Sequence, residues 1–546
     1  MPKTLLQYFK DHADLSLQRL LFFAGIAGLS NAFILGVVNA AAAAAASEEQ
    51  GNNLRLLILF FITLAIYALT QRYIFVAASA EVEKIIDKYR VRMIDLIRQC
   101  DLDTIEKIGR PFIFGAITRQ PQVVSQTAGP LILAAQSAIL IFFTLFYLAW
   151  LSMYAFYLTI AITAIGVWQY QRKTNETNRD LHLAAAEEDV LFGSLTDVIE
   201  GFKEVRIHSA RSRDIARFVR DTSVEVKRLK IKVDVHLSVL FVFAQTTFYL
   251  LAAAMVFLLP IFGETYSEEL LKTTTVVLFL IGPISSVVSA ASNATQANAA
   301  VEDMIKLEGM LTEADRTPPD PKDILTDFEE IRLDGIVYEH RDEKGEITFR
   351  CGPIDWSFRE GEMVFVSGGN GSGKSTLMKL LTALYHPSSG RLLLDGKPVG
   401  ADVRDRFQSL FTAVYFDFHL FNRSYGLGDV DAERVDRLLE EVELSGKTQL
   451  RDGKFDTLAL STGQRKRLAL VVALLEDRPI CMFDEWAADQ DPQFRRHFYE
   501  DILPRLRREG KTIIAVTHDD RYFDHCDRRI LMEEGRIVDE QKGLGV

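Results

Sequence analysis

The sequence predicts a chain of two parts: an α-helical membrane domain with six spans, then an α/β domain built around a phosphate-binding loop. The first prediction comes from apolar runs near the roughly 20 residues that a helix needs to cross a bilayer. The second comes from a strand, a glycine-rich loop and a helix within residues 363–381. Mean hydropathy is slightly positive although 25% of the residues are charged, which agrees with an apolar part joined to a polar one.

Six apolar runs in the amino-terminal half define the predicted spans. They are residues 20–46, 56–79, 127–149, 152–170, 237–262 and 273–298. Residues 127–170 contain no Asp, Glu, Lys or Arg, so we expect two spans there that turn near Trp150–Ser152. A cleaved signal peptide is the alternative for the first run, which is longer than the signal core of about 7–15 apolar residues.

The charges between the runs predict the orientation in the membrane. The loops 47–53 and 263–271 carry Glu but no Lys or Arg, whereas residues 79–126 and 171–236 are rich in basic side chains. Because basic residues concentrate in cytoplasmic segments, we expect both long segments, the amino terminus and the carboxyl-terminal half in the cytoplasm.

The two long segments between spans also carry helical patterns. In the first, apolar residues recur at spacings of three and four: Val82, Ile85, Ile86, Tyr89, Met93, Leu96 and Ile97. Residues 191–219 behave similarly, with an apolar face formed by Phe192, Leu195, Val198 and Ile199. We therefore expect the spans to continue as helices into the cytoplasm, with a short turn such as 108–114 touching another domain.

Composition excludes several classes of protein. The net charge of −12 argues against a general nucleic-acid binder, and four dispersed cysteines argue against a disulfide framework or zinc site. The spans lack the carboxylates that proton-coupled pumps place at mid-membrane. Their polar groups are uncharged: Asn31, Asn39, Gln136, Gln245, Ser285, Ser286, Ser289, Asn293 and Gln296.

A proline-rich segment separates the two parts. Residues 312–322 read TEADRTPPDPK, which can neither continue a helix nor build a core. We therefore assign residues 1–311 to the membrane domain, 312–327 to the linker and 328–546 to the nucleotide-binding domain.

Three motifs in the last domain predict ATP chemistry. The first is a P-loop between strand and helix, in which glycines let backbone N–H groups converge on phosphates: Gly368, Gly369, Asn370, Gly371, Ser372, Gly373, Lys374, Ser375 and Thr376. Lys374 is expected to reach the β- and γ-phosphates, and the Ser375 hydroxyl to bind Mg²⁺. The second motif is the apolar strand PICMF, which is followed by Asp484 and Glu485. Asp484 is predicted to contact Mg²⁺, and Glu485 is a candidate general base.

The third motif is LSTGQ at residues 460–464, which resembles the signature of ABC ATPases with Thr462 in place of a glycine. His518 follows an apolar strand and matches the switch histidine of that family, and Tyr338 matches the aromatic residue that stacks on adenine. The whole chain is therefore similar to an ABC exporter half-transporter of the six-span type.

That resemblance implies a homodimer, because the sequence holds one P-loop and one signature. In this family two ATPase domains enclose two ATP molecules. Ser461 and Gly463 would contact the γ-phosphate bound by the other subunit, with Gln464 in the same motif. ATP would drive the closed state, and hydrolysis would reset it.

Two stretches depart from the common exporter pattern. Phe416 stands where a glutamine is usual, and we hypothesise that Asp417 replaces it at the metal; the segment after Glu485 reads WAADQD. Together with FDFHLF at 416–421, these motifs resemble bacterial exporters of cyclic peptides, lipopeptides, microcins and siderophore peptides. The resemblance implies export of such a peptide across the bacterial inner membrane, in contact with its lipids. Translocation of a lipid or hydrophobic drug, and an ATP-gated regulator without cargo, are the alternatives.

Overall fold

The computed structural model describes residues 5–12, 17–46, 53–257, 267–312, 324–342, 345–428 and 430–543. They divide into two compact units. The first comprises Met1–Arg92 and Phe114–Leu307, and the second Met93–Ile113 and Glu308–Val546. Most of the predicted linker and of the two acidic loops lies outside the described residues. The segment Met93–Ile113, which the sequence prediction includes in the membrane domain, is grouped with the carboxyl-terminal residues in the second unit.

Helices make up the described part of the amino-terminal half. In chain order they are α1 (Leu5–His12), α2 (Leu17–Ala46), α3 (Asn53–Gln99), α4 (Leu102–Ile108), α5 (Arg110–Phe114), α6 (Gln120–Leu151), α7 (Met153–Glu200), α8 (Phe202–Ile207), α9 (Ser209–Phe257) and α10 (Ser267–Thr312). A π-helical turn at Gly115–Arg119 joins α5 to α6. The break at Ser152, whose hydroxyl caps α7, confirms the predicted turn between two spans.

Among the described residues, four helical segments are long and apolar enough to cross a membrane: Phe22–Ala41, Leu54–Gln99, Arg110–Leu151 and Lys272–Thr312. The predicted span 152–170 begins at the break before α7, where the described apolar stretch is Met153–Gln169. The predicted span 237–262 lies in α9 up to Phe257, with the apolar stretch Gln245–Phe257, and its residues 258–262 lie outside the described residues.

The two helical patterns predicted between the spans agree with the structure. The stripe on α3 is confirmed, since Val82, Ile85, Ile86, Tyr89 and Met93 are all buried. Residues 191–219 are also helical, although Gly201 and His208 divide them among α7, α8 and α9. A Cβ at Gly201 would lie 2.9 Å from the Asp197 carbonyl oxygen, so the close turn there favours glycine.

Strands in the carboxyl-terminal domain form three sheets. The strands are β1 (Glu330–Arg341), β2 (Ile347–Arg359), β3 (Met363–Gly368), β4 (Ser389–Leu394), β5 (Lys397–Pro398), β6 (Phe411–Val414), β7 (Leu450–Arg451), β8 (Lys454–Phe455), β9 (Ile480–Asp484), β10 (Thr512–Val516), β11 (Arg528–Glu533) and β12 (Arg536–Lys542) within the described residues. The large sheet has six strands in the order β12-β11-β3-β10-β9-β6. A four-stranded antiparallel sheet has the order β2-β1-β4-β5, and β7 and β8 form a small hairpin.

Helices of this domain cover the large sheet. They are α11 (Lys374–Leu381), α12 (Arg404–Gln408), α13 (Ala432–Glu441), α14 (Thr462–Glu476), α15 (Pro492–His497) and α16 (Leu503–Arg508). Alternate residues of β3 pack on opposite faces: Val364 lies with Leu377 of α11, and Phe365 with Leu468 of α14. A parallel sheet buried on both faces needs such strands, apolar at every position.

Helix α4 contacts the carboxyl-terminal domain within the second unit. The Tyr385 hydroxyl donates to Glu106 at 2.7 Å, and Lys379 Nζ donates to the same carboxylate at 3.1 Å. Because Lys379 lies on α11, the helix that follows the P-loop is tied to the segment leaving α3. These side-chain bonds come from α4, and Gly109 and Arg110 of the predicted turn line a cleft together with Lys379 and Tyr415.

Candidate active site

The phosphate-binding loop lies between β3 and α11. Gly368 has a φ of +150°, and a Cβ there would lie 2.3 Å from the Met532 carbonyl oxygen, so a larger residue cannot fit. Gly373, with a φ of +96°, precedes the first residue of α11. The loop therefore presents backbone N–H groups at a helix amino terminus, where the helix dipole favours phosphate.

Lys374 is held over this loop. Its ammonium donates to the carbonyl oxygens of Gly368 at 3.0 Å and Gly369 at 2.9 Å. It also lies 3.7 Å from Glu485 Oε1. Since the side chain is buried, an arriving phosphate would replace these bonds to neutral carbonyls with stronger bonds in which both partners are charged.

Glu485 and His518 follow the neighbouring strands β9 and β10. Because β3, β10 and β9 are parallel neighbours, their carboxyl ends meet at one edge of the sheet, beside the P-loop. His518 Nε2 lies 3.0 Å from Glu485 Oε1, on a cavity of about 290 Å³ that both residues line. The carboxylate thus stands within reach of a ring and an ammonium, an arrangement suited to accepting a proton from water.

Asp484 is the buried carboxylate of the site. Burial raises its pKa, as does the charge of Glu485, while hydrogen bonds from the Ser375 hydroxyl and the Phe416 N–H oppose the rise. Its Oδ1 atom is buried without a hydrogen-bond partner among the described residues. An orphaned carboxylate oxygen linked to a hydroxyl fits a hard divalent cation such as Mg²⁺.

Asp417 is exposed on the turn after β6. It lines a cleft of about 470 Å³ together with Lys379 and His419. The contact with Asp484 comes from the backbone N–H of Phe416. A metal-binding role for the Asp417 carboxylate therefore stays a prediction.

The signature residues form the amino terminus of α14. Ser461 Oγ accepts from the Gln464 N–H at 3.4 Å, and Gln464 Oε1 accepts from the Ser461 N–H at 3.1 Å, a reciprocal capping box. Gln490 Nε2 donates to the Gly463 carbonyl at 3.1 Å. Ser461 and Thr462 are exposed, so this helix terminus can meet a second molecule.

Tyr338 lies in the core of the domain. Its ring is 5% exposed and stacks on Tyr385 with centroids 4.5 Å apart, while its hydroxyl donates to Asp103 at 2.9 Å. The ring bonded to the P-loop helix is instead His340, whose Nε2 lies 3.3 Å from Thr376 Oγ1. Burial lowers the pKa of His340, which favours its neutral ring. Stacking of Tyr338 on adenine stays a prediction.

Two substitutions separate these rings. We expect His340→Leu to weaken ATP binding about tenfold, because stacking of a base on an aromatic ring contributes about 1–3 kcal/mol. Tyr338→Leu is expected to lower thermal stability more than ATP affinity, since it empties a core position. Titration with a fluorescent ATP analogue measures the affinity of each variant, and thermal unfolding measures its stability. If Tyr338→Leu weakened ATP binding more than His340→Leu, Tyr338 would be the residue that stacks on adenine.

His340 and Lys466 are the residues that the sequence interpretation missed. His340 stands two residues after Tyr338 on the same strand, so period-two alternation could have indicated that both rings share a face. Lys466 is buried beneath the sheet edge that holds Glu485, although it stands in a basic run, RKR. Its contacts join segments distant in sequence, and no local pattern reveals them.

Comparisons with known proteins agree with this geometry. Residues 351–488 match the ABC transporter family. The chain is 34% identical to the ATP-binding protein SyrD of Pseudomonas syringae pv. syringae, over 84% of this chain and 83% of that protein. It is 26% identical to an ATP-dependent lipid A-core flippase of Burkholderia orbicola, over 77% of this chain and 72% of the relative.

A third relative and a solved structure complete the comparison. The Probable syringafactin export ATP-binding/permease protein SyfD of Pseudomonas syringae pv. syringae is 31% identical, over 38% of this chain and 33% of its own. A bacterial Atm1-family ABC exporter solved with ATP bound superimposes with a TM-score of 0.78 at 18% identity, covering 97% of this chain and 96% of the other. That likeness shows the same fold. The chain belongs to the ABC transporter family, as an ATP-hydrolysing half-transporter of the exporter type.

Proposed function

We propose that this membrane protein exports a peptide natural product across the bacterial inner membrane, as a homodimer with its ATPase domains in the cytoplasm. The observation that carries the ATP-driven part is the cluster of Glu485, His518 and Lys374 at one edge of the sheet. A pure regulator would not need a candidate general base beside the P-loop lysine, so this cluster favours ATP turnover.

Each residue of the cluster has a task in the proposed reaction. The P-loop N–H groups and Lys374 hold the β- and γ-phosphates of ATP. Glu485 accepts the proton of the attacking water, and His518 keeps that carboxylate oriented through its 3.0 Å contact. Mg²⁺ held by Ser375 and Asp484 would neutralise charge on the phosphates.

The second copy supplies the missing face of each site. The chain carries one P-loop and one exposed signature terminus, so two chains arranged symmetrically make two complete sites. In this proposal Ser461 and Gly463 of one copy contact the γ-phosphate held by the other. Exposed apolar side chains on the cytoplasmic helices, among them Phe192, Ile199 and Phe202, agree with surfaces that a partner covers.

The cargo proposal depends on relatives rather than on geometry. SyfD is named for syringafactin export, whereas the flippase is named for lipid A-core. The motifs LSTGQ and DEWAADQDP favour the peptide class. Several candidate polar groups in the spans bond within their own helix: Ser286 to Gly282, Ser289 to Ser286 and Asn293 to Ser289. They are therefore not evidence for a path that binds peptides. Lipid or drug translocation is the second candidate, because the flippase is also similar to this chain.

Untargeted mass spectrometry of cells and medium tests the cargo. A deletion strain of the native host carries either the wild-type gene or Glu485→Gln. We expect a peptide-like compound to accumulate in the cells of the variant strain and to disappear from its medium. Unchanged peptides with an altered envelope lipid profile would contradict peptide export and favour the lipid alternative.

A further inference from the structure

Lys466 is a buried cation directly beneath the sheet edge that holds Glu485. It lies on α14, one turn after the signature, and is 2% exposed. A buried ammonium is costly unless every donor finds a partner. Here Nζ lies 2.7 Å from Asp489 Oδ2 and 3.1 Å from the Glu485 carbonyl oxygen, and 5.2 Å from the Phe416 ring centroid.

The contact with Glu485 falls on a special backbone. Glu485 has a φ of +48°, in the left-handed region that residues with a side chain rarely adopt. Such a conformation persists only where surrounding contacts determine it. Lys466 supplies two of them, since its Nζ binds the Glu485 carbonyl and its own carbonyl accepts from the Trp486 indole at 2.8 Å.

The direction of the Glu485 side chain depends on that backbone. Its Oε1 lies 3.0 Å from His518 Nε2 and 3.7 Å from Lys374 Nζ, and in the proposed reaction it accepts the proton of the attacking water. Other bonds between α14 and the segment after β9 hold later residues: Arg467 binds Gln490 at 2.9 Å and Asp491 at 2.6 Å. Among the side chains of α14 whose contacts the structure describes, Lys466 is the one bonded to Glu485 itself.

We propose that Lys466 is a positioning residue for ATP hydrolysis, which fixes the left-handed turn of Glu485 and thereby aims its carboxylate. The inference rests on the proposed role of Glu485 as general base. Lys466 also connects two sites. The amino terminus of α14 would contact the ATP bound by the second copy, whereas Glu485 belongs to the ATP site of its own chain.

Lys466→Met tests the proposal, because it keeps the length of the side chain and removes the charge and the donors. We expect kcat to fall about 10- to 100-fold, as small displacements of catalytic groups do, while the KM for ATP stays within about twofold. Lys466→Arg should recover part of the loss. Lys447→Met, an exposed lysine of the same domain, is the matched control.

A double variant distinguishes positioning from general support of the fold. If Lys466 acts through Glu485, Lys466→Met should cause no further loss in a Glu485→Gln background, measured as residual hydrolysis of radiolabelled ATP over hours. An equal loss in both backgrounds, or a changed KM with unchanged kcat, would overturn the proposal. Lys466→Gln provides the same comparison if the methionine variant does not fold. Normal turnover by Glu485→Gln alone would instead remove the general base and so defeat the proposed function.

Discussion

Glu485→Gln is expected to bind ATP with nearly wild-type affinity and to hydrolyse it at least about 100-fold more slowly, since a positioned general base contributes about 10²–10⁴-fold. The amide is close in size to the carboxylate and can still contact His518, but it cannot take a proton from water. ATP would therefore hold the two ATPase domains together. Steady-state hydrolysis and retention of labelled ATP on the purified protein measure both effects.

The control for this variant is Glu533→Gln, which changes an exposed glutamate of the same domain. It should hydrolyse ATP at the wild-type rate. Loss of ATP retention in Glu485→Gln would mean that the carboxylate supports nucleotide binding rather than chemistry. Turnover close to wild type would assign the proton to another group.

Two inactive variants should complement each other when they are paired in one dimer. Lys374→Ala disables the P-loop, and Ser461→Arg places a long side chain at the exposed signature terminus. If each site combines the P-loop of one copy with the signature of the other, a mixed dimer has one doubly damaged site and one intact site. We expect the mixed dimer to regain up to about half of the wild-type rate for two equivalent sites.

The mixed dimer is obtained by giving the two chains different affinity tags and purifying through both. Each variant paired with itself is the control and should be inactive, because both of its sites carry a defect. A mixed dimer as inactive as these controls would indicate that P-loop and signature act within one chain. Loss of the Ser461 cap is expected to cost about 1 kcal/mol, so thermal unfolding of the Ser461→Arg variant is measured in parallel.

The position of the P-loop, Asp484 and Glu485 at one edge of the sheet could be predicted from the sequence because each motif is local. The P-loop and the Asp484–Glu485 pair each follow a short apolar strand, and parallel strands place their carboxyl ends at one edge. The stripe from Val82 to Met93 likewise reads from helical spacing alone. Each of these patterns involves residues that are close together in the sequence, so it can be recognised without the structure.

Other features depend on tertiary contacts, which the spacing of residues in the sequence does not predict. The apolar pattern at 191–219 continues through Gly201, although the backbone turns there into α8. Tyr338 and His340 lie on the same strand, but the Tyr338 ring is buried because it stacks on Tyr385 and its hydroxyl donates to Asp103. Lys466 resembles a surface lysine within RKR, and only the fold of Glu485 and Asp489 around it explains its burial.

The most direct measurement is ATP hydrolysis by this chain alone, purified and reconstituted in lipid vesicles with no other ABC protein. The proposed homodimer predicts Mg²⁺-dependent turnover by the wild type and almost none by Glu485→Gln under the same conditions. Hydrolysis that arises only after a different half-transporter is added would contradict the homodimer, and hydrolysis that survives Glu485→Gln would contradict the catalytic site.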